Sequence, residues 1–346
     1  MMAREEENQS SLKETRRERP LRERVGVCIE GTSPLDVITR IREAERAGVS
    51  QVWMTAGAAG EGSPDPLTLF AAAASQTEQI RLGTAIVPTY LRHPLLMAQQ
   101  ALAVHGLAPG RLRLGIGPGG RESNEGWYGL EVLSPLPYHK EYLEILRGAL
   151  WESNADYRGT FFKTSNAVTV GDFKAVITAS QSKRVPLLLA ALGPKAFRQA
   201  GEISDGALSW MCPVPYLREV ALPELRAGAE GRSRSAPPIV AHLMVAMSAD
   251  EAVVLGATRP RVQVYARVEA YARMFVRAGF SGAVEGDEAR RDALARTLVI
   301  SGDEATVRNR LESLLTSGLD ELMLQLVPIV NEDHEREQLL RLVGSL

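Results

Sequence analysis

Residues 80–120 read IRLGTAIVPTYLRHPLLMAQQALAVHGLAPGRLRLGIGPGG, and this stretch decides the fold. A short apolar run ends at Pro88, a helical pattern follows, and after the turn at Pro109-Gly110 a second apolar run begins. That order is strand, helix, strand. Two strands joined by a helix run parallel, and a parallel sheet needs both faces covered. The first strand ends in Thr84-Ala85-Ile86-Val87-Pro88 and the second in Gly115-Ile116-Gly117-Pro118-Gly119-Gly120. Both carboxyl ends therefore carry unusual backbone chemistry where α/β proteins bind their ligands.

The same alternation extends in both directions. Upstream, 25–30 and 51–55 read as strands, separated by a helix that starts at Ser33-Pro34 and stops at Gly48. Downstream, strands are expected at 185–192, 206–211, 238–247 and 321–327. A helix is expected from Ser134 to Ser153, and another to follow Gly193-Pro194. Residues 250–296 are mainly helical, with turn signals at 256–260 and 279–286. Ser301-Gly-Asp-Glu304 reads as a capping box, and 333–346 as a final helix. Eight strands alternating with helices predict a (β/α)8 barrel, a TIM barrel in one domain over 25–346. The stretch 156–182 alternates Phe161, Phe162, Val168, Val170 and Phe173 between glycines, which predicts a hairpin-like insertion at the barrel rim after the fourth helix. Residues 1–24 hold almost no large apolar side chain and read as a disordered charged tail.

With 346 residues, 45% apolar and 24% charged, the chain has the composition of a globular protein with a large core. Its 40 basic and 42 acidic residues are mixed along the chain, giving a net charge of −2 and no electrostatic reason to expect nucleic acid or a membrane surface. No apolar run approaches the ~20 residues of a membrane span, and no signal-peptide pattern opens the chain, so a cytoplasmic protein is expected. Cys28 and Cys212 are the two cysteines; each lies in an apolar run and is expected to be a buried free thiol.

Several residues could carry chemistry. Ala190-Ala191-Leu192-Gly193-Pro194-Lys195 joins a strand to a helix start, where free backbone N–H groups and the helix dipole suit a phosphate, although a plain turn has the same signature. The loop Gly117-Pro118-Gly119-Gly120 is neither a Walker loop nor a dinucleotide fingerprint. Residues 56–63, with three glycines, can serve as a ligand loop or as a surface turn. His93 before Pro94 suits a cap, His139 can face either the barrel mouth or solvent, and Trp127-Tyr128 can stack on a ring or simply pack. The five histidines show no metal-ligand spacing, and Gly-x-Ser-x-Gly is absent.

Taken together, LGTAIVPTYLRHP, GRLRLGIGPGG with the following Asn-Glu, VPLLLAALGPKAFRQAGEISDGAL and VISGDEATVRNRLESLL resemble the luciferase-like flavin enzymes, and among them the branch that uses the deazaflavin coenzyme F420. The similarity spans roughly residues 25–328. It implies a TIM barrel that binds its coenzyme at the carboxyl ends of the strands. It also implies a non-prolyl cis peptide at Ala85-Ile86 behind the ring, phosphate contacts at Ala191, Gly193 and Pro194, and a glycine-rich contact at Gly117 and Gly119, with Asn124 a weaker match. Two departures bear on the chemistry. The acidic-histidine pair that the family's sugar-phosphate dehydrogenase carries after strand two is replaced by Thr55-Ala56-Gly57-Ala58, and Gly120-Arg121 intervenes before Glu122 in the strand-four loop. The resemblance therefore implies hydride transfer between F420 and a small organic substrate and no particular acid/base residue. FMN-dependent oxygenation and coenzyme binding without turnover on the same barrel are the alternatives. A homodimer is also implied.

Overall fold

The computed structural model describes residues 19–56, 64–152, 154–165 and 184–346. Eight strands form the frame: β1 (Val25–Cys28), β2 (Gln51–Met54), β3 (Arg81–Thr84), β4 (Leu112–Gly117), β5 (Leu187–Ala190), β6 (Gly206–Ser209), β7 (Ile239–Ala246) and β8 (Glu321–Leu326). Each pairs in parallel with the next, and β8 returns to β1 with Leu322 opposite Val25, so the sheet closes. The strand sequences are apolar on both faces because one face meets the barrel interior and the other meets the helices. Helices start where the sequence offers a cap: Ser33, Asp65, Asp250 and Asp303 each accept a backbone N–H in the first turn, and Pro34 and Pro66 occupy first-turn positions.

The barrel interior is filled in layers. At the amino-terminal end Arg113 of β4 spans to Glu321 of β8, at 2.5 and 3.2 Å, and to Gln51 of β2 at 2.6 Å; all three are buried. Above this floor the indole of Trp53, on which Arg113 also sits at 4.9 Å, crosses the barrel to pack with Leu188, Leu208, Val240 and Met323 from four other strands. The ring fits because β1 and β3 carry glycines opposite it. A Cβ on Gly83 would lie 2.3 Å from Trp53, and one on Gly26 would lie 2.6 Å away.

Some boundaries differ from the sequence reading. Leu21–Arg24, placed within the charged tail, is a helical turn, and Arg24 is buried with its guanidinium on the carbonyls of Asp320, Leu315 and Leu319. The hydropathy of an arginine hid this anchor; carbonyls at the foot of β8 satisfy it. The turn expected at 256–260 is absent: Glu251–Arg267 is one helix with Pro260 inside it. The N–H that proline lacks would have met the carbonyl of Gly256, an exposed residue, so the loss is cheap. The cap expected at Ser301 falls on Asp303, because Val299–Ser301 extends as a short strand beside β7. Of the rim insertion, the described part is an antiparallel hairpin, Tyr157–Arg158 with Lys163–Thr164; Val168, Val170 and Phe173 lie outside the described residues. No helix among the described residues is long and apolar enough to cross a membrane.

Candidate active site at the carboxyl end of the barrel

β3 stops at Thr84 and resumes at Val87–Pro88, which pairs with Ile116 and Gly117 of β4. Between them the Ala85-Ile86 peptide is cis, as the resemblance implied. The break is braced on both sides. Ala85 N–H donates to Met54 O at 2.7 Å and Ile86 O accepts from Ala56 N–H at 3.2 Å, while the Thr84 hydroxyl both donates to Gly115 O and accepts from Gly115 N–H, each at 2.8 Å. The side-chain hydroxyl thus replaces the missing rung of the ladder.

Gly117 ends β4 in close quarters: a Cβ there would lie 2.7 Å from Ala190 and 3.3 Å from Ile86. Ile86, Gly117 and Ala190 therefore meet at the mouth, small groups with one branched wedge, while Ala85 belongs to the cluster around Trp53 just inside it. Gly119 turns the loop at φ +72°, a conformation that favours glycine. Asn124 is buried beneath this loop, its amide donating to Pro118 O at 2.8 Å, so it shapes the loop from behind. The Gly117 carbonyl accepts from both the backbone and the hydroxyl of Thr89, and that hydroxyl meets His139 Nε2 at 3.1 Å. His139 thus faces inward; burial pushes its pKa down to about 4 and keeps it neutral. His93 caps its helix through Nδ1.

Gly193 is the N-cap of the ten-residue helix Pro194–Ile203. No side chain caps this end, and the atom nearest a Cβ placed on Gly193 is Nη1 of Arg277 at 3.4 Å. A helix N-terminus and a guanidinium thus share one opening, an arrangement suited to an anion. Ala191 is buried and its N–H is taken by Leu208 O, and Pro194 has no N–H; of the three expected phosphate contacts, Gly193 is the one with a donor to offer.

The opposite wall was not legible in the sequence. Trp210, at the end of β6, stacks on His242 of β7 with centroids 3.7 Å apart, and its indole N–H donates to the Tyr265 hydroxyl at 2.8 Å. His242 Nδ1 accepts from Met211 N–H at 3.4 Å, which leaves the proton on Nε2 to donate to Gln325 Oε1 at 3.1 Å. The Gln325 amide then donates to Glu30, beyond the end of β1. Burial lowers the His242 pKa to about 3, so the ring stays neutral and the tautomer is fixed by these partners. Cys28 is half-buried at this wall, and burial together with Glu30 pushes its thiol up. Period-two placement of His242 and Gln325 with the apolar inward residues was the available signal. Trp127 and Tyr128 stand exposed. Most of the loop 56–63 lies outside the described residues.

A closed parallel barrel with an interrupted third strand and a helix end at its mouth suited to an anion defines a TIM barrel. The Luciferase-like monooxygenase family matches residues 21–321, and the chain belongs to that family. It is 31% identical over 312 residues to a Mycobacterium tuberculosis protein with the provisional name of coenzyme F420-dependent oxidoreductase, covering 81% of this chain and 87% of the relative. It is 26% identical over 345 residues to the 5,10-methylenetetrahydromethanopterin reductase of Methanopyrus kandleri, covering 90% and 93%. The structure of an F420-dependent secondary alcohol dehydrogenase in complex with an F420-acetone adduct superimposes with a TM-score of 0.73 at 18% identity, over 92% of this chain and 97% of that one, a likeness of fold.

Proposed function

We propose that the protein is an F420-dependent oxidoreductase that moves a hydride between the deazaflavin and a small organic substrate. The observation that carries this reading is the similarity to the M. tuberculosis relative, which covers 81% of this chain. The residues at the mouth fit such a coenzyme. Gly117 and Ala190 leave room for a flat ring against Ile86, and the open N-terminus at Gly193 beside Arg277 suits its phosphate. When bound, the deazaflavin supplies hydride exchange at its C5 position. The chain's part is to hold and to shield. Gly193 and Arg277 anchor negative charge at one side of the mouth, Ile86 backs the ring position, and the Trp210–His242–Tyr265 wall keeps water from the other side. A small-molecule substrate, a cytoplasmic location and a homodimer belong to the same proposal.

Turnover tests the reading. Purified protein with F420 and a panel of alcohols and carbonyl compounds should change the coenzyme's oxidation state with at least one of them. Oxygen consumption with reduced FMN and no F420 turnover would replace it with a flavin monooxygenase.

A further inference from the structure

At the rim where β8 meets β1, a cavity of about 130 Å³ is lined by Cys28, Glu30, Arg261, Gln325 and residues of the flanking helices. That is several times the ~30 Å³ a water occupies in the liquid. Three arginines border it, and their states differ. Arg40 is paired with Asp36 and Glu332, and Arg336 lies against Asp333, Glu332 and Glu43. Arg261 has no carboxylate within ion-pair distance among the described residues; its one hydrogen bond is to Leu326 O at 3.4 Å. It is also half-buried, four residues before Tyr265 on the helix whose tyrosine holds Trp210.

Glu30 is the complementary group. Its Oε1 accepts from the Gln325 amide at the end of the chain that starts at Met211 N–H and passes through His242, so the direction of every hydrogen bond in that chain ends on an acceptor. The second carboxylate oxygen has no partner among the described residues. Glu30 and Arg261 line the same cavity with Cys28 and make no ion pair with each other.

The geometry points to this cavity as a subsite for a small hydroxy acid, whose carboxylate or phosphate pairs with Arg261 and whose hydroxyl donates to Glu30. Arginine suits a planar oxyanion, and a charge-assisted bond from the hydroxyl satisfies the open carboxylate oxygen. Calling the ligand a substrate rests on the oxidoreductase reading; its binding does not. The anion cradle at Gly193 lies across the mouth at β5, so coenzyme phosphate and substrate anion are held by different cations.

The test uses the full-length protein without coenzyme and saturation-transfer NMR with four probes: lactate against acetate, and glycerol 3-phosphate against methylphosphonate. Wild type should bind the hydroxylated member of each pair about tenfold more tightly than its partner, the worth of one hydrogen bond to a charge. Arg261→Gln should weaken all binding at this site by about tenfold or more. Glu30→Ala, on an exposed residue that a folded protein tolerates, should erase the preference for the hydroxyl while leaving acetate as tight or tighter. Whichever pair binds better identifies the anion, and either order supports the site. Absence of binding in wild type, or either variant keeping the wild-type pattern, would overturn the proposal. A parallel titration with F420 separates the two readings: Arg261→Gln should bind the coenzyme as wild type does, and a wild type that binds lactate but not F420 would refute the oxidoreductase reading alone.

Discussion

Gly193→Val separates a binding role from a structural one. Gly193 has φ −97° and ψ 162°, extended backbone that a β-branched residue adopts without strain, and the nearest atom to a new Cβ is Arg277 Nη1 at 3.4 Å. Valine is a poor N-cap, but it also removes the conformational freedom glycine has when unfolded. The net change in stability should stay within about 1 kcal/mol, a shift of a few degrees in Tm. The branched methyls would, however, project toward Arg277 into the space proposed for the anion. Losing one or two charge-assisted hydrogen bonds there, at ~1.5–3 kcal/mol each, raises the coenzyme's Kd roughly tenfold to ten-thousandfold. Fluorescence titration with F420 and a thermal melt on the same preparation read both quantities. Unchanged affinity, or a loss of stability as large as the loss of binding, would refute the assignment.

Breaking the barrel floor by Glu321→Gln should destabilise the protein by ~3–5 kcal/mol in denaturant melts, since Arg113 would be left buried without its counter-charge; a loss under 1 kcal/mol would contradict the pairing. Burial alone would raise the Glu321 pKa, but Arg113 outweighs it and holds the carboxyl below its ordinary value of 4.5. The pair's stabilisation is therefore complete above that value and is lost as pH falls below it, and the acid limb of the wild-type stability curve should flatten in the variant. Gly83→Ala should cost more than 1 kcal/mol or prevent folding, because its methyl would press on Trp53, and adding Trp53→Phe should recover part of the loss. With its pKa near 3, His242 is neutral from pH 5 to 8, so Trp210 fluorescence should not titrate there; a transition near pH 6.5 that His242→Gln abolishes would show an imidazolium instead.

The frame was legible because it depends on local signals. Strands with two apolar faces, proline and aspartate at helix starts, and the repeated alternation each act over a few residues, so 80–120 led outward to all eight strands. The Ala85-Ile86 break was reached through resemblance, since nothing in its composition distinguishes it from an ordinary strand; at Gly193 the strand-to-helix turn already suited a phosphate, and resemblance chose that reading over a plain turn. The remainder depends on pairs distant in sequence. Arg113 meets Glu321 across 208 positions, and Gln325 meets Glu30 across 295. Arg261 sits inside a helix that Pro260 and Gly256 made look like a turn, so its place above the β8–β1 rim emerges only when that helix is seen to run unbroken. Arg24 looked like tail because a charged side chain signals burial only when its carbonyl partners are known.

The barrel mouth is proposed above as a site for the deazaflavin. Titration of the same purified protein with F420 and with FMN tests it most directly. F420 should bind at least about tenfold more tightly than FMN, a difference of roughly 1.4 kcal/mol, and Gly193→Val should remove most of that affinity. FMN binding as tightly as F420, or no F420 binding by a folded protein, would contradict it.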